Sequence, residues 1–285
     1  MMNPTIHAVK TGIGRGWTEF MLSLKSPQDQ GFYLFTSAGV LLYLFLNRND
    51  EIEGTTLLYP TVALPSILGG LLVFSLVIGP AYALAMERED GTLLRAKAVP
   101  RGLIGHVTGH ILLNTLSLIP SFLVILVPGA FLFDDMMQNG LRGWGTVIWV
   151  VLLGLLATLP IGIVIGSLVP GVQKVGTWGM LPILLLLAIS GIFVPIQGLW
   201  GWAQTVSQVF PMYWVGIGMR SAFLPDAAAA LEIGGSWRTV ETVLVLGAWA
   251  VAGALIAPIV LRRMARRQSG SQVEAAREQA LQWVR

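Results

Sequence analysis

Cysteine is absent, and charge is scarce: Asp, Glu, Lys and Arg make up 12% of the 285 residues. The first absence removes any disulfide framework, thiol nucleophile or cysteine-ligated metal. The second removes the ordinary soluble globule, which carries about 25% charged residues. No Gly-x-x-x-x-Gly-Lys-Ser/Thr occurs, so this chain does not hydrolyse ATP by the phosphate-loop route. His-Glu-x-x-His and Gly-x-Gly-Asp are also missing, and with them the signatures of zinc and intramembrane aspartyl proteases. A net charge of +3 spread over loops does not describe a nucleic-acid binder. The start, Met1 to His7, has no apolar core of a signal peptide, so the first span is expected to stay in the mature chain.

What is present is apolar. Hydrophobic residues make up 54%, and the mean hydropathy is +0.71. That composition implies an all-α integral membrane protein, whose apolar exterior is taken up by lipid. The 33 Gly and 15 Pro agree, because small residues let buried helices approach and kinks are tolerated in embedded bundles. Runs near the required 20 residues predict six spans in one permease domain. They are Gly31–Leu46, Pro60–Ala85, Leu103–Leu132, Trp144–Val169, Thr177–Ile196 and Val240–Leu261. Pro120 and Pro128 predict that the third kinks or ends early.

Lys and Arg set the orientation. With the N-terminus inside, fourteen of them fall on one side and only Arg48, Arg142, Arg220 and Arg238 on the other. Both termini, including the polar tail Arg262–Arg285, are therefore expected in the cytoplasm, with the chain multi-pass in the cell membrane. Ile13, Trp17, Phe20, Met21 and Leu24 repeat at helical spacing and predict an amphipathic interfacial helix over Gly12–Lys25. Its glycines, Gly12, Gly14 and Gly16, weaken the first turns, so the helix is expected from about Gly16 onward. Trp200, Trp202, Val206, Val209 and Phe210 predict that Gly198–Trp214 stays in, or re-enters, the outer interface.

Candidate chemistry is thin. The middles of the six spans hold no ionisable residue, which speaks against a proton- or sodium-coupled carrier. His106 and His110 stand one turn apart at the start of the third span, with Asn114 a turn further. Such a pair suits a metal, yet no third ligand is evident nearby, and a pair bonded to water or headgroups is the simpler reading. Asp134 and Asp135 read as a solvated outer loop. Ser190 before Gly191 reads as a helix-packing site, and Gly12–Gly16 has the wrong spacing for a dinucleotide loop. Gly105-x-x-x-Gly109 and Gly162-x-x-x-Gly166 offer close packing faces, within the chain or between copies. No catalytic and no metal-binding residue is assigned.

The densest charge lies between the second and third spans, in the loop Met86–Gly102. Glu87, Arg88, Glu89, Asp90, Arg95, Lys97 and Arg101 stand there together. The residues alone leave two readings open. One is a loop that only sets topology. In the other, Leu93, Leu94 and Val99 dip into lipid or fill a groove on a second protein, and Gly91 marks a break or a close backbone approach.

Glu87-Arg88-Glu89-Asp90-Gly91-Thr92-Leu93, closed by Pro100, resembles the cytoplasmic signature of type-2 ABC exporter permeases, among them daunorubicin-resistance-type drug exporters. Ser190-Gly191-Ile192-Phe193-Val194-Pro195, then Trp202 and Phe210-Pro211-Met212-Tyr213-Trp214, is similar to the family's outer landmark. Leu94-Arg95-Ala96-Lys97 departs from the acidic residue often found there. The resemblance implies a homodimer that docks two copies of a separate ATPase subunit, with ATP and Mg held by that partner and no cofactor on this chain. Glu87 to Leu94 and Pro100 would couple to the ATPase, and the N-terminal helix would be a second contact. Gly191, Phe193, Pro195, Trp202, Phe210, Pro211 and Tyr213 would form the outer gate or re-entrant segment. The cargo would be a small lipophilic or amphipathic molecule, a drug or something lipid-like, exported along a weakly polar path. Lipid is the only other partner expected, and no nucleic acid. Two rival readings stand beside it: an ion-coupled secondary transporter with Gly/Pro-interrupted helices, and a membrane enzyme using Asp134, Asp135 or the histidines.

Overall fold

The computed structural model describes residues 3–52, 55–133 and 138–267. Asp134, Asp135 and the tail beyond Arg267 lie outside them. Among the described residues the chain consists of helices joined by turns and irregular stretches, with one isolated antiparallel bridge between Glu51 and Leu58.

Ten helices carry the fold: α1 Pro4–Ser23, α2 Pro27–Leu46, α3 Tyr59–Glu89, α4 Thr92–Ala98 and α5 Gly102–Leu132 come first. Then follow α6 Gly140–Leu168, α7 Val172–Ala188, α8 Gly201–Val209, α9 Pro211–Phe223 and α10 Thr239–Arg267. Four of them, α3, α5, α6 and α10, are long and apolar enough to cross a membrane.

Helix α3 is the axis of the molecule. Leu64, Leu68, Leu72, Leu76 and Val77 are fully buried on it, although Pro65 and Pro80 interrupt its hydrogen bonding. It is apolar all round, as a helix enclosed by protein must be. Around it stand α6, α9 and α5, while α10 runs along α6. Two glycines bring α6 in: a Cβ on Gly162 would collide with the Val77 carbonyl, and one on Gly166 would stand 2.8 Å from the Ala81 carbonyl. The Gly162-x-x-x-Gly166 face thus packs inside the chain.

Several boundaries differ from the sequence expectation. Helix α1 begins at Pro4, not near Gly16, because Gly12 and Gly16 lie against Gly105 and Gly109 of α5. Asn3 caps it, accepting from the Thr5 backbone N–H at 3.0 Å. The helix expected as the first span starts earlier, at Pro27, where the Ser26 hydroxyl accepts from Asp29 N–H. Helix α5 runs unbroken through Pro120 and Pro128 to Leu132. The apolar helix expected over Thr177–Ile196 instead covers Val172–Ala188, with a π-helical stretch at Val175–Gly179. It stops because the chain turns at Gly191, whose φ of 76° is open chiefly to glycine.

Candidate functional site

The charged stretch is neither a loop nor a uniformly exposed surface. Helix α3 carries it to Glu89. Gly91, left-handed at φ 78°, then turns the chain into the short helix α4. Asp90 Oδ1 accepts from the Thr92 N–H at 2.7 Å, and Arg95 Nη2 donates to the Thr92 hydroxyl at 2.8 Å. Leu93 is fully buried against Leu84, Leu261 and Met264, so it anchors α4 to the bundle and cannot reach a second protein. Arg88 Nη1 donates to the carbonyls of Val169 and Gly166 at 3.0 and 3.3 Å. Glu89 Oε1 accepts from the Val172 N–H at 2.8 Å. Arg88 and Glu89 together therefore fix the turn between α6 and α7 to the end of α3. Exposed in this stretch are Met86, Glu89 and Asp90 at the end of α3, and Arg95, Ala98, Val99, Pro100 and Arg101 on the far side of α4 and its exit.

Glu87 points inward. It is 8% exposed and takes one hydrogen bond on each oxygen, from His106 Nε2 at 2.5 Å and His110 Nε2 at 2.6 Å. The far nitrogen of His106, Nδ1, lies 2.8 Å from Arg15 Nη1 of α1, and Arg15 Nε also holds Glu19 at 2.7 Å. The guanidinium can only donate, so His106 Nδ1 accepts and its proton sits on Nε2, facing Glu87. The chain Glu19–Arg15–His106–Glu87–His110 thus ties α1, α3 and α5 together next to α4. The histidine pair has a third partner after all. Glu87 supplies it from 19 and 23 residues away, beyond the reach of spacing rules.

A family model described as ABC-2 family transporter protein matches residues 31–259. The chain belongs to the ABC-2 transporter family. No curated protein matches it. The matched stretch contains α4 and Glu87, His106 and His110, and it begins after α1 and Arg15. Membership makes the chain the permease component of an ABC transporter, a multi-pass membrane protein, and implies a partner ABC ATPase. It favours that reading over the ion-coupled carrier and the membrane enzyme.

At the other end of this ABC-2 permease, the second landmark is built around a buried ion pair. Arg220 Nε donates to Glu232 Oε1 at 2.5 Å, with the two residues 3% and 2% exposed. Arg220 Nη1 also donates to the Gly191 carbonyl at 3.0 Å and the Ser66 hydroxyl at 3.1 Å. Tyr213 reaches the other Glu232 oxygen at 3.4 Å. Arg220, expected on the outer side, is not a solvated loop charge: with Glu232 it pins Gly191 and α9 to α3. Of the residues assigned to the outer segment, Gly191, Pro211 and Tyr213 are buried, Pro195 and Phe210 half-buried, and Phe193 and Trp202 exposed. Gly198–Trp214 spans α8 and the start of α9; α9 continues to Phe223 and is enclosed between α3 and α6.

A cleft of about 680 Å³ opens between α1 and α2 on one side and α3 and α5 on the other. Phe32, Tyr33 and Phe74 give it apolar walls, Ser75, Asn114 and Ser117 give hydroxyl and amide groups, and Glu19 and Asp29 stand along its edge. Such a mix of apolar wall and few polar groups is the usual make-up of a small-molecule site.

Proposed function

We propose that this permease is the membrane half of an ATP-driven exporter of the daunorubicin-resistance type, paired with a separate ATPase that docks on α4. The geometry of α4 carries the reading. Its inner residue, Leu93, is locked into the bundle against Leu84 of α3, while Arg95, Val99 and Pro100 face outward on α4 and its exit. A push on the outer face is therefore delivered to the central helix of the fold. A helix fixed on one side and free on the other is suited to be a lever, whereas a loop that only sets topology needs no such anchoring.

In this reading α2, α3, α5, α6, α7 and α10 are six spans, with both termini and the Lys/Arg-rich ends in the cytoplasm of the cell that makes the chain. The cell membrane is the site of action. Helices α8 and α9 form the re-entrant outer segment, closed by the Arg220–Glu232 pair. Two copies assemble with two ATPase subunits, and ATP with its Mg stays on those subunits. The cargo is small and lipophilic or amphipathic, as the mixed walls of the α2–α3–α5 cleft suggest. Helix α1 lies beside α4's exit and offers a second contact for the ATPase.

The deciding experiment is purification of the tagged chain from its native membranes in mild detergent. A stoichiometric partner carrying the phosphate-loop motif, two copies to two, is the expected result. Val99→Asp should remove that partner while the permease still elutes as a folded particle. A chain that purifies alone and stays alone after crosslinking overturns the proposal.

A further inference from the structure

We infer that Glu87, His106 and His110 form a site for one divalent metal ion of the zinc class, and that the ion competes with Arg15 for His106. This goes beyond the export reading and does not rest on it.

The donor set is a carboxylate and two imidazoles, with one ligand atom from each lying within 4.8 Å of the others. Tetrahedral zinc, with bonds of about 2.0–2.1 Å, needs its ligand atoms about 3.3 Å apart. The carboxylate oxygens are at 2.5 and 2.6 Å from the two Nε2 atoms, so they need only draw back slightly to admit the ion. The histidines stand at i and i+4 on α5 and present Nε2 to the two oxygens of one carboxylate, a spacing that zinc helices use. Helix α3 holds the carboxylate in place from the opposite side. A space of about 30 Å³ adjoins the cluster between Pro80, Leu84, Val107, Leu159 and Ile163. It is large enough for a water or two, and a water would complete a fourth position. Zinc suits this set better than calcium or magnesium, which take mainly oxygen ligands.

Arg15 sets the competition. Without metal, both Nε2–H groups donate to Glu87, and the Arg15 guanidinium on His106 Nδ1 leaves that ring its proton on Nε2 alone. An ion at that point takes the Nε2 lone pair of each ring, so the proton each ring keeps sits on Nδ1. His110 Nδ1 is buried without a hydrogen-bond partner among the described residues, so nothing opposes a proton there. His106 Nδ1 faces the Arg15 guanidinium at 2.8 Å, and two donors cannot face each other. Metal binding therefore expels Arg15 from His106 and leaves it with Glu19 alone, loosening α1 from α5. Metal-bound histidines ordinarily donate their other N–H to an acceptor; here a cation occupies that place, so affinity in the natural chain is held down by Arg15.

The test uses the full-length chain, free of any polyhistidine tag, in detergent micelles. Co²⁺ is titrated while its visible absorption is followed, and Zn²⁺ is then added as a competitor. One tetrahedral Co²⁺ per chain, displaced by Zn²⁺, is expected. Glu87→Gln and His110→Ala should each weaken Zn²⁺ binding by at least about tenfold. Arg15→Ala should tighten it several-fold, and His7→Ala, at the one histidine outside the cluster, should change nothing. His110 is the least buried ligand, so His110→Ala keeps the test valid if Glu87→Gln fails to fold. No Co²⁺ spectrum, or undiminished affinity in His110→Ala, overturns the site. Equal affinity in Arg15→Ala and the natural chain overturns the competition.

Discussion

Gly12 of α1 and Gly105 of α5 meet backbone to backbone, and Gly16 meets Gly109 one turn on. A Cβ on either α1 glycine would collide with the carbonyl of its partner, so the spacing that weakens α1 as an isolated helix is what lets it lie against α5. Gly14, on the other face, meets nothing within 4 Å. Overpacking a close contact costs typically about 1–3 kcal/mol, while replacing glycine by alanine in an exposed helix gains up to about 1 kcal/mol. Gly12→Val and Gly16→Val are therefore expected to lower the thermal midpoint of the purified permease, and Gly14→Ala to leave it unchanged or raise it. The tryptophan fluorescence of the chain provides the readout. Equal effects at positions 12 and 14 would show that α1 does not need the close approach.

Arg220 and Glu232 behave as a unit because each is buried almost completely. Removing one partner of a buried pair leaves the other charge without compensation, at about 3–5 kcal/mol, whereas replacing both by apolar residues is often neutral. Arg220→Met alone and Glu232→Leu alone should each lower stability sharply in detergent thermal scans, and the double variant should recover most of the loss. Additive losses in the double variant would mean that the two residues act through separate contacts, such as Gly191 for Arg220.

Glu89 holds the start of α7 by accepting the Val172 N–H, next to Gly171 with its φ of 99°. Glu89→Ala should release the turn between α6 and α7 without disturbing the core. Limited proteolysis should then cut faster near Gly171 to Lys174, with thermal stability little changed. A cleavage rate equal to that of the natural chain would show that Arg88, through Val169 and Gly166, suffices to hold the turn.

How much of this was legible in the sequence follows from how far each partner lies. The long apolar helices were readable to within a few residues, Tyr59 against Pro60 and Gly102 against Leu103, because hydropathy is a local average. The charges were not. Glu87 looked like the first charge of a loop, since its two histidines lie 19 and 23 positions on. Arg220 looked like an outer-side charge, because no local rule links it to Glu232, 12 residues on across an irregular turn. Leu93 stood out correctly as apolar among charges, but only the fold shows that Leu84, Leu261 and Met264 are what it packs on. Gly91 was readable as a break for a local reason: the backbone there is left-handed.

Helix α4 separates two roles that the signature merges, and two substitutions pull them apart. Leu93 is fully buried, and cutting such a leucine to alanine costs about 2–5 kcal/mol. Leu93→Ala should therefore lower stability and lose ATPase binding together. Val99 is 59% exposed and contributes little to the fold. Val99→Asp should leave the stability within about 0.5 kcal/mol of the natural value, yet put a charge on the face that meets the partner. Co-purification of the ATPase, measured beside thermal stability for each variant, distinguishes the cases. Loss of binding at normal stability in Val99→Asp locates the contact on the outer face of α4. Retained binding there would move the contact elsewhere, and α1 would be the next helix to test, since it lies beside α4 and is tied to α3 and α5 through Arg15 and His106.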